Sequence, residues 1–391
     1  MKRLKKLDYF IVFPYLVMSI IGIIMVYSAS ANIGTQNGGS PTSYLIRQSI
    51  FVVLSLFIVG FMMFLNLKKL RDKRFLNIVG VGFFIVLTGL LFFGQSVNGA
   101  SGWIHLGPIS IQPAEFLKFF LIIRTANIID ERQDELAIPE NWWSTMKVTL
   151  IKNGILLLLV LLQPDSGGFA INFMIVMVML LASGISWKKS ITILGGFIAV
   201  ILLVLKFAVE PLSHLPWVQS SYRIQRFVAF VDPFGHATGS GQQLVNSYYA
   251  ISNGGLFGSG LGNSIQKTGY LPEPNTDFIM AIVSEELGVI MVIFILFLLM
   301  VIVTRCILLG TRSNSTYQSL VCYGVATYLT VQSLFNIGGV VGILPITGVT
   351  FPFISYGGSS TMTLSLCIGI ILNISDKQRK ERAGQKLAIK E

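Results

Sequence analysis

The chain has 391 residues, of which 53% are apolar and 12% charged, where ordinary soluble domains carry about a quarter charged residues. With 28 Phe and a mean hydropathy of +0.72, it lacks the polar surface to cover a water-soluble core of this size, which excludes a soluble multidomain enzyme and predicts an integral membrane protein. The formal net charge of +11 invites a nucleic-acid reading, so the placement of the basic residues has to decide.

A bilayer core of about 30 Å needs roughly 20 apolar residues per helix. Runs of that kind fall at 10–28, 45–65, 75–94, 112–129, 148–163, 168–184, 190–209, 277–304, 317–337 and 351–374. These predict an all-α polytopic membrane protein with ten transmembrane helices and both termini on one side. Lys2–Lys6, the apolar run after them and Ala29-Ser30-Ala31 have the form of a secretory signal. That run is longer than a signal's apolar segment and contains Pro14, so it reads as an uncleaved first span. The fifth and sixth spans are short, separated by Gln163-Pro164-Asp165-Ser166-Gly167-Gly168, and read as one broken unit.

Most of the 29 Lys and Arg fall on one side of this arrangement. They form clusters at 2–6, 68–74, 124–152, 188–189, 305–312 and 377–390, and by the positive-inside rule this side is cytoplasmic. The surplus charge is therefore a topology signal and nucleic acid is not needed to explain it. The external side carries loops at 95–111, 210–276 (long, between spans seven and eight) and 338–350, and long loops of this kind tend to carry function. Residues 1–374 read as one membrane domain and 375–391 as a short polar cytoplasmic tail. There is no phosphate-binding loop or dinucleotide fingerprint, and Cys306, Cys322 and Cys367 show no metal-like spacing.

Ionisable groups inside spans are costly and mark cavities or pathways. Glu115 and Lys118 lie three apart on one helix face, either as a self-neutralising structural pair or as the lining of a polar cavity. Gln332 and Asn336 repeat the spacing with amides, where hydrogen bonding between helices is the expected role. The stretch from Lys267 to Gly288 is the most informative. Pro272 and Pro274 keep the chain extended, Thr276 reads as an N-cap, and Asp277 then sits in the first turn of the eighth span. Glu285 falls about 12 Å deeper along the helix. An acid in a first turn has a structural explanation in the helix dipole. A carboxylate beside apolar surface is also raised in pKa towards what a general base needs, and Lys267, Arg223 and Arg226 nearby could hold an anionic leaving group.

These segments in this order resemble the SEDS family of bacterial peptidoglycan glycosyltransferases, and within it the FtsW-type division members. The resemblance rests on Val97–Ile104, Ile111–Lys118, Gln163–Gly167, Arg223–Phe227 with Asp232-Pro-Phe, Gly254–Gly262, Leu271–Gly288, Gln332…Asn336 and Leu344–Ser360, and so runs from the first span to the last. Gly102 departs from it, standing where the family usually has a basic residue before Trp103. The resemblance implies polymerisation of lipid II, a disaccharide-pentapeptide on undecaprenyl pyrophosphate. Asp277 would be the base for the 4-hydroxyl of the attacking GlcNAc, and Lys267, Arg223 and Arg226 are candidates for the pyrophosphate. Glu115, Lys118 and Asp165 would line the central cavity and Glu285 its deeper wall. Glu273 would orient the loop or stabilise its turn, with Trp103, Ser355 and Ser359 as further substrate-binding candidates.

A divalent cation, magnesium or manganese, would suit the diphosphate chemically, although no ligand cluster demands one. The implied partners are lipid II, a single-span class B penicillin-binding transpeptidase and other division proteins, at the septal cytoplasmic membrane. Competing readings are a lipid II flippase, a side-wall polymerase of the RodA type, and a non-catalytic division scaffold. The flippase lacks an evident inverted repeat, and the scaffold leaves Asp277 and its loop unexplained.

Overall fold

In the computed structural model, the described residues are 7–36, 40–97, 100–107, 109–136, 138, 142–184, 191–192, 195–196, 226 and 229–388. Runs of Leu, Ile, Val, Phe and Met form helices here because in hydrocarbon every backbone group must find its partner within the segment. In chain order the described helices are α1 (Tyr9–Gln36), α2 (Ser43–Phe64), α3 (Leu67–Leu70), α4 (Lys73–Phe93), α5 (Pro113–Glu131), α6 (Gln133–Leu136), α7 (Trp142–Leu162), α8 (Ser166–Leu181), α9 (Gln242–Gly254), α10 (Ile279–Thr311), α11 (Thr316–Val340) and α12 (Gly358–Ala388). Seven of them (α1, α2, α4, α7, α10, α11 and α12) are long and apolar enough to cross a membrane, and α8 is a shorter apolar helix. The protein is a multi-pass membrane protein. Of the expected span at 190–209 only residues 191–192 and 195–196 are described, and residues 210–225 and 227–228 of the loop that follows it lie outside the described residues.

Arg305 and Ser375 both bond Asp8 Oδ2, at 2.8 and 2.7 Å, joining α10 and α12 to the residue just before α1. Arg71 pairs with Asp130, whose other oxygen accepts from Tyr317 N at 2.9 Å, joining the segment before α4 to α5 and α11. The interior is apolar, and large apolar side chains such as Phe57, Phe61, Ile78, Ile85, Phe93, Phe294 and Phe297 point outward, as a lipid-facing surface requires.

Four sequence expectations change. The 95–111 loop is an antiparallel three-stranded sheet, β1 (Gln95–Val97), β2 (Ala100–Leu106) and β3 (Ile109–Ile111), with Gln95 opposite Trp103 and Ile104 opposite Ile111. The fold is therefore not wholly helical. Within 210–276, residues 242–254 form the amphipathic helix α9, which packs on α10 and α11. The last apolar run turns helical only at Gly358, because 351–357 are turns. The tail, in contrast, stays helical to Ala388: Lys380 pairs with Asp376 and Lys377 with Glu381 at i, i+4, and Gln378 Nε2 ties it to Leu309 O at 2.9 Å.

The eighth span also starts later than expected and is broken. α10 begins at Ile279, and Gly288 interrupts it with φ 80°, ψ 168°, a conformation essentially confined to glycine. The backbone groups freed by the break are taken up by the glycine-rich loop before it. Ser259 N and Gly260 N donate to the carbonyls of Glu285 and Glu286 at 2.9 and 3.0 Å, while Val289 N and Ile290 N donate to Gly255 O and Leu256 O at 3.0 and 3.3 Å. The part after the break is about 35 Å long at 1.5 Å per residue, which crosses the hydrocarbon unaided. The part before it, Ile279–Leu287, is buried against protein from Ile279 to Glu286, at the external end of the bundle.

A methyl group at Gly288 would lie 2.2 Å from Leu256 O and force a conformation costing about 1–3 kcal/mol before any clash is counted. Gly288→Ala is therefore expected to lower the unfolding temperature of the detergent-purified protein sharply. Gly154→Ala, in open space on α7, should leave it unchanged or raise it slightly, since alanine is favoured by about 0.5–1 kcal/mol in a helix interior. A thermal-shift comparison of the two checks the assignment of the break.

Candidate active site

The chain before α10 is held by its own carbonyl groups. Asn275 O accepts from Tyr356 N at 2.8 Å, Thr276 O from Ser355 Oγ at 2.6 Å, and Asp277 O from Asn336 Nδ2 at 2.7 Å. Ser355 is fixed in turn, since its Oγ accepts from Phe351 N at 2.8 Å. Thr276 is thus not an N-cap and Asp277 is not in the helix: it sits two residues before α10, in a turn, with its backbone anchored and its side chain half-buried. Glu273, between its two prolines, adopts φ 55°, and Phe353 in the facing segment φ 65°, a region that non-glycine residues occupy at a cost.

Around the Asp277 carboxylate, Thr276 Oγ1 lies 2.7 Å from Oδ1 and 3.1 Å from Glu273 Oε2, so one hydroxyl stands between two acids. On the other side is Gly348, at φ +72° in the left-handed region. A Cβ there would stand 3.3 Å from Arg226 Nη1 and 3.8 Å from Asp277 Oδ2, so the absence of a side chain lets the guanidinium and the carboxylate approach one another. Arg226 Nη1 also donates to Ile346 O at 3.4 Å. Burial is the largest influence on Asp277 and raises its pKa. The Thr276 hydroxyl opposes this, the Glu273 charge adds to it and the Arg226 charge opposes it. Asp277 opens onto a cleft of about 180 Å³, counting the space at its mouth, walled by Phe278, Phe335, Asn336 and the Ile346–Val349 segment.

The other candidates fall into separate clusters. Lys267 is buried. Its Nζ reaches Glu286 Oε1 at 2.6 Å, Ser28 Oγ at 2.9 Å and Gly262 O at 2.8 Å, which engages all three of its protons in a pair joining the loop to α1. Holding a pyrophosphate would mean breaking that pair. Glu285, also buried, faces the same loop rather than a central cavity: it accepts from Ser264 Oγ, from Ile265 N and Gln266 N at 3.2 and 3.3 Å, and from Asn253 Nδ2 at 3.2 Å. Asp165 caps α8 through Gly168 N at 2.7 Å and accepts from Gln112 Nε2 at 2.9 Å. Gln112 N donates to Ser359 Oγ at 2.9 Å, so Asp165 and Ser359 share one junction. Trp103 lies half-buried in β2, and Arg223 lies outside the described residues.

Glu115 and Lys118 do pair, at 2.6 Å, with Lys118 only 1% exposed. Lys118 Nζ also reaches Gln332 Oε1 at 3.4 Å and lies over the Tyr328 ring. Of the amides of α11, Gln332 bridges helices as expected, accepting from Lys118 Nζ of α5 and donating to Ser360 Oγ of α12 at 3.3 Å; the remaining bonds run to irregular segments. Gln332 Nε2 donates to Thr350 O at 2.9 Å, and Asn336 Nδ2 to Val349 O at 2.7 Å as well as to Asp277 O. Adjacent turns of α11 therefore hold the irregular segment that forms the cleft wall. Thr347 and Gly348 in that wall were missed by sequence reasoning. Their signal is a polar residue and a glycine soon after Pro345 in an otherwise apolar stretch. Among the described residues no three His, Cys, Asp or Glu side chains converge as a metal site.

Fold and site together define a multi-pass membrane protein with a half-buried carboxylate held beside an arginine at one end of its helix bundle. Residues 8–380 match the FtsW/RodA/SpoVE family, described as cell cycle protein, and the chain belongs to that family. It is 40% identical to the probable peptidoglycan glycosyltransferase FtsW of Lactococcus lactis, covering 96% of this chain and 94% of that one. Its counterpart from Bacillus subtilis is 36% identical, with 98% and 96% covered. Among solved structures, a chain of a peptidoglycan synthase complex that coordinates polymerization and crosslinking superposes with a TM-score of 0.74 at 25% identity, over 95% of this chain and 98% of that one. The rod shape determining protein RodA of Thermus thermophilus shares the fold, with a TM-score of 0.67 at 24% identity over 95% and 97%.

The electrostatics give a signed expectation. Asp277 should titrate above the ordinary carboxylate value of about 4. Glu273→Gln removes a charge that raises its pKa and should move the titration to lower pH. Arg226→Gln removes one that lowers it and should move it higher. Infrared difference titration of the carboxyl stretch, referenced to Asp277→Asn, reads both shifts.

Proposed function

We propose that the protein polymerises lipid II at the outer face of the cytoplasmic membrane, with Asp277 as the general base. The protein is a peptidoglycan glycosyltransferase of cell division. Asp277 takes the proton of the acceptor GlcNAc 4-hydroxyl as that oxygen attacks the anomeric carbon of a second molecule's MurNAc. The bond from that carbon to the pyrophosphate breaks, and undecaprenyl pyrophosphate leaves with the electron pair. The observation that carries this reading is a carboxylate raised in pKa by burial, yet open to a cleft, with its backbone fixed on three successive carbonyls. General-base catalysis wants such a group: basic enough to accept the proton, and positioned before substrate arrives.

Arg226, a few ångströms beyond Gly348, is the candidate for the departing diphosphate, and Arg223 is the second. A guanidinium suits phosphate oxygens in charge and shape. Lys267 serves better as the buried anchor of the loop than as a phosphate ligand. A magnesium or manganese ion would draw on Glu273 and the diphosphate's own oxygens, in the manner of magnesium sites that use one or two carboxylates and substrate phosphates, and would offset the leaving group's charge. Ten spans remain our reading of the topology: the seven long helices, α5, α8 and the run at 190–209. The natural partners are a class B penicillin-binding transpeptidase, which would crosslink the strands made here, and other division proteins at the septum.

The test is glycan synthesis by the purified protein with its transpeptidase and lipid II. Asp277→Asn, shown to be folded by gel filtration and thermal shift, should lose about 10²- to 10⁴-fold in rate, the usual contribution of a general base. Polymerisation at the wild-type rate by that variant would remove Asp277 from the chemistry.

A further inference from the structure

Two polar atoms on residues that line the cleft have no hydrogen-bond partner among the described residues. Asn336 is 3% exposed, and its Nδ2 donates to two carbonyl oxygens, Asp277 O and Val349 O, both at 2.7 Å. These two bonds fix which way the amide points, because the flipped amide would set its oxygen against both carbonyls. The oxygen so fixed, Oδ1, is buried without a hydrogen-bond partner, and so is Oγ1 of Thr347. Both residues line the same cleft as Asp277. A buried polar atom left unpaired costs about 1–3 kcal/mol, so two of them on residues that line the cleft beside Asp277 call for a ligand that supplies the missing hydrogen bonds.

The ligand chemistry follows from what must reach Asp277. The reacting group is a ring hydroxyl, and on GlcNAc the 4-hydroxyl is flanked by the 3-hydroxyl on one side and the 6-hydroxyl on the other. Phe335, half-buried, borders the cleft and offers apolar surface to the ring's C–H groups. The cleft wall does not yield easily, since Thr347 and Val349 rest directly on Gly167 of α8, where even one added carbon would lie 2.6 Å from Val349 Cγ2 and 3.0 Å from Thr347 O.

Resting on the polymerase reading above, we infer that Asn336 Oδ1 and Thr347 Oγ1 form the acceptor-sugar subsite, each binding one of the two hydroxyls that flank the attacking 4-hydroxyl of GlcNAc. Asn336 then has two functions in one amide: its nitrogen positions Asp277 and its oxygen positions the substrate. The subsite would make the enzyme selective for an acceptor with free 3- and 6-hydroxyls.

Thr347→Val removes the hydroxyl while keeping the shape. Because that hydroxyl has no hydrogen-bond partner among the described residues, the unfolding temperature should not fall. With lipid II, the variant should lose about 3- to 10-fold in kcat/KM, the worth of a neutral hydrogen bond, chiefly through KM. Lipid II bearing 3-deoxy- or 6-deoxy-GlcNAc completes the test. One of the two deoxy substrates should cost the wild type a similar factor and cost Thr347→Val almost nothing further. A wild-type KM for Thr347→Val, or losses from substrate and variant that simply multiply for both deoxy substrates, would overturn the subsite. An Asp277→Asn enzyme that is inactive while Thr347→Val is normal would sink this inference and leave the polymerase reading intact. An Asp277→Asn enzyme that polymerises at the wild-type rate would instead remove Asp277 as the base, and with it the reading on which this subsite rests.

Discussion

The site depends on three successive backbone carbonyls, at Asn275, Thr276 and Asp277, each bonded by a different donor from the segment before α12 or from α11. A carboxylate on a flexible loop would sample many positions, and its burial would be easily relieved by swinging into water. Anchoring the backbone on three sides prevents this. It also keeps Asp277 out of the helix that follows. In the first turn of α10 the acid would have met unpaired N–H groups and the positive end of the helix dipole, which favour its charged form and weaken it as a base. In the turn before the helix, the Thr276 hydroxyl, the Arg226 charge and a backbone hydrogen bond oppose the rise, and burial prevails.

The buried charges of the bundle serve the same end from a distance. An unpaired charge in such a place is expensive, and breaking a buried pair costs about 3–5 kcal/mol because the survivor is left uncompensated. Lys118 with Glu115, and Lys267 with Glu286, are each paired and further hydrogen-bonded. The first pair meets Gln332, whose amide holds Thr350 O, one residue from the Val349 carbonyl held by Asn336. The second fixes the glycine-rich loop to α1, while Glu285 on the adjacent position of α10 gathers the same loop through its side chain. What reads in the sequence as a set of cavity-lining charges is, in three dimensions, largely the frame that sets two irregular segments on either side of Asp277.

That difference marks where sequence reading succeeds and where it stops. The apolar runs located α2, α4, α5, α8 and α11 to within a few residues, because hydrocarbon leaves the backbone no alternative, while α1, α10 and α12 run well past their expected ends. Asp277, Glu273 and Arg226 were legible as charged residues to examine because prolines and charges at the edge of an apolar run are conspicuous. The break at Gly288 was not. Its cause is a backbone pairing with residues some thirty positions earlier, and no local pattern reports that. Lys267 was read as a candidate phosphate ligand, and its engagement by Glu286 and Ser28, on two other elements, could not be read from spacing. Thr347 and Gly348 matter because Gly167 and Asn336 bring them to Asp277, which is again a property of packing rather than of the segment itself.

The break in α10 also bears on how a lipid-linked substrate can be handled. If α10 were one straight helix crossing from Asp277, the acid would lie some way inside or above the bilayer according to tilt alone. Because the part after Gly288 is long enough to cross, the part before it is free to be a protein-buried support, and its depth is set by the loop that pairs with the break. The carboxylate is then referred to the loop 255–260 and to the 346–357 segment, both fixed by hydrogen bonds, and not to the membrane. With Asp277 as the proposed base, a polymerase whose substrates are tethered to the bilayer by long flexible lipids gains from that arrangement: the lipid end can move with the membrane, while the sugar hydroxyl would meet a carboxylate whose position is determined by protein alone.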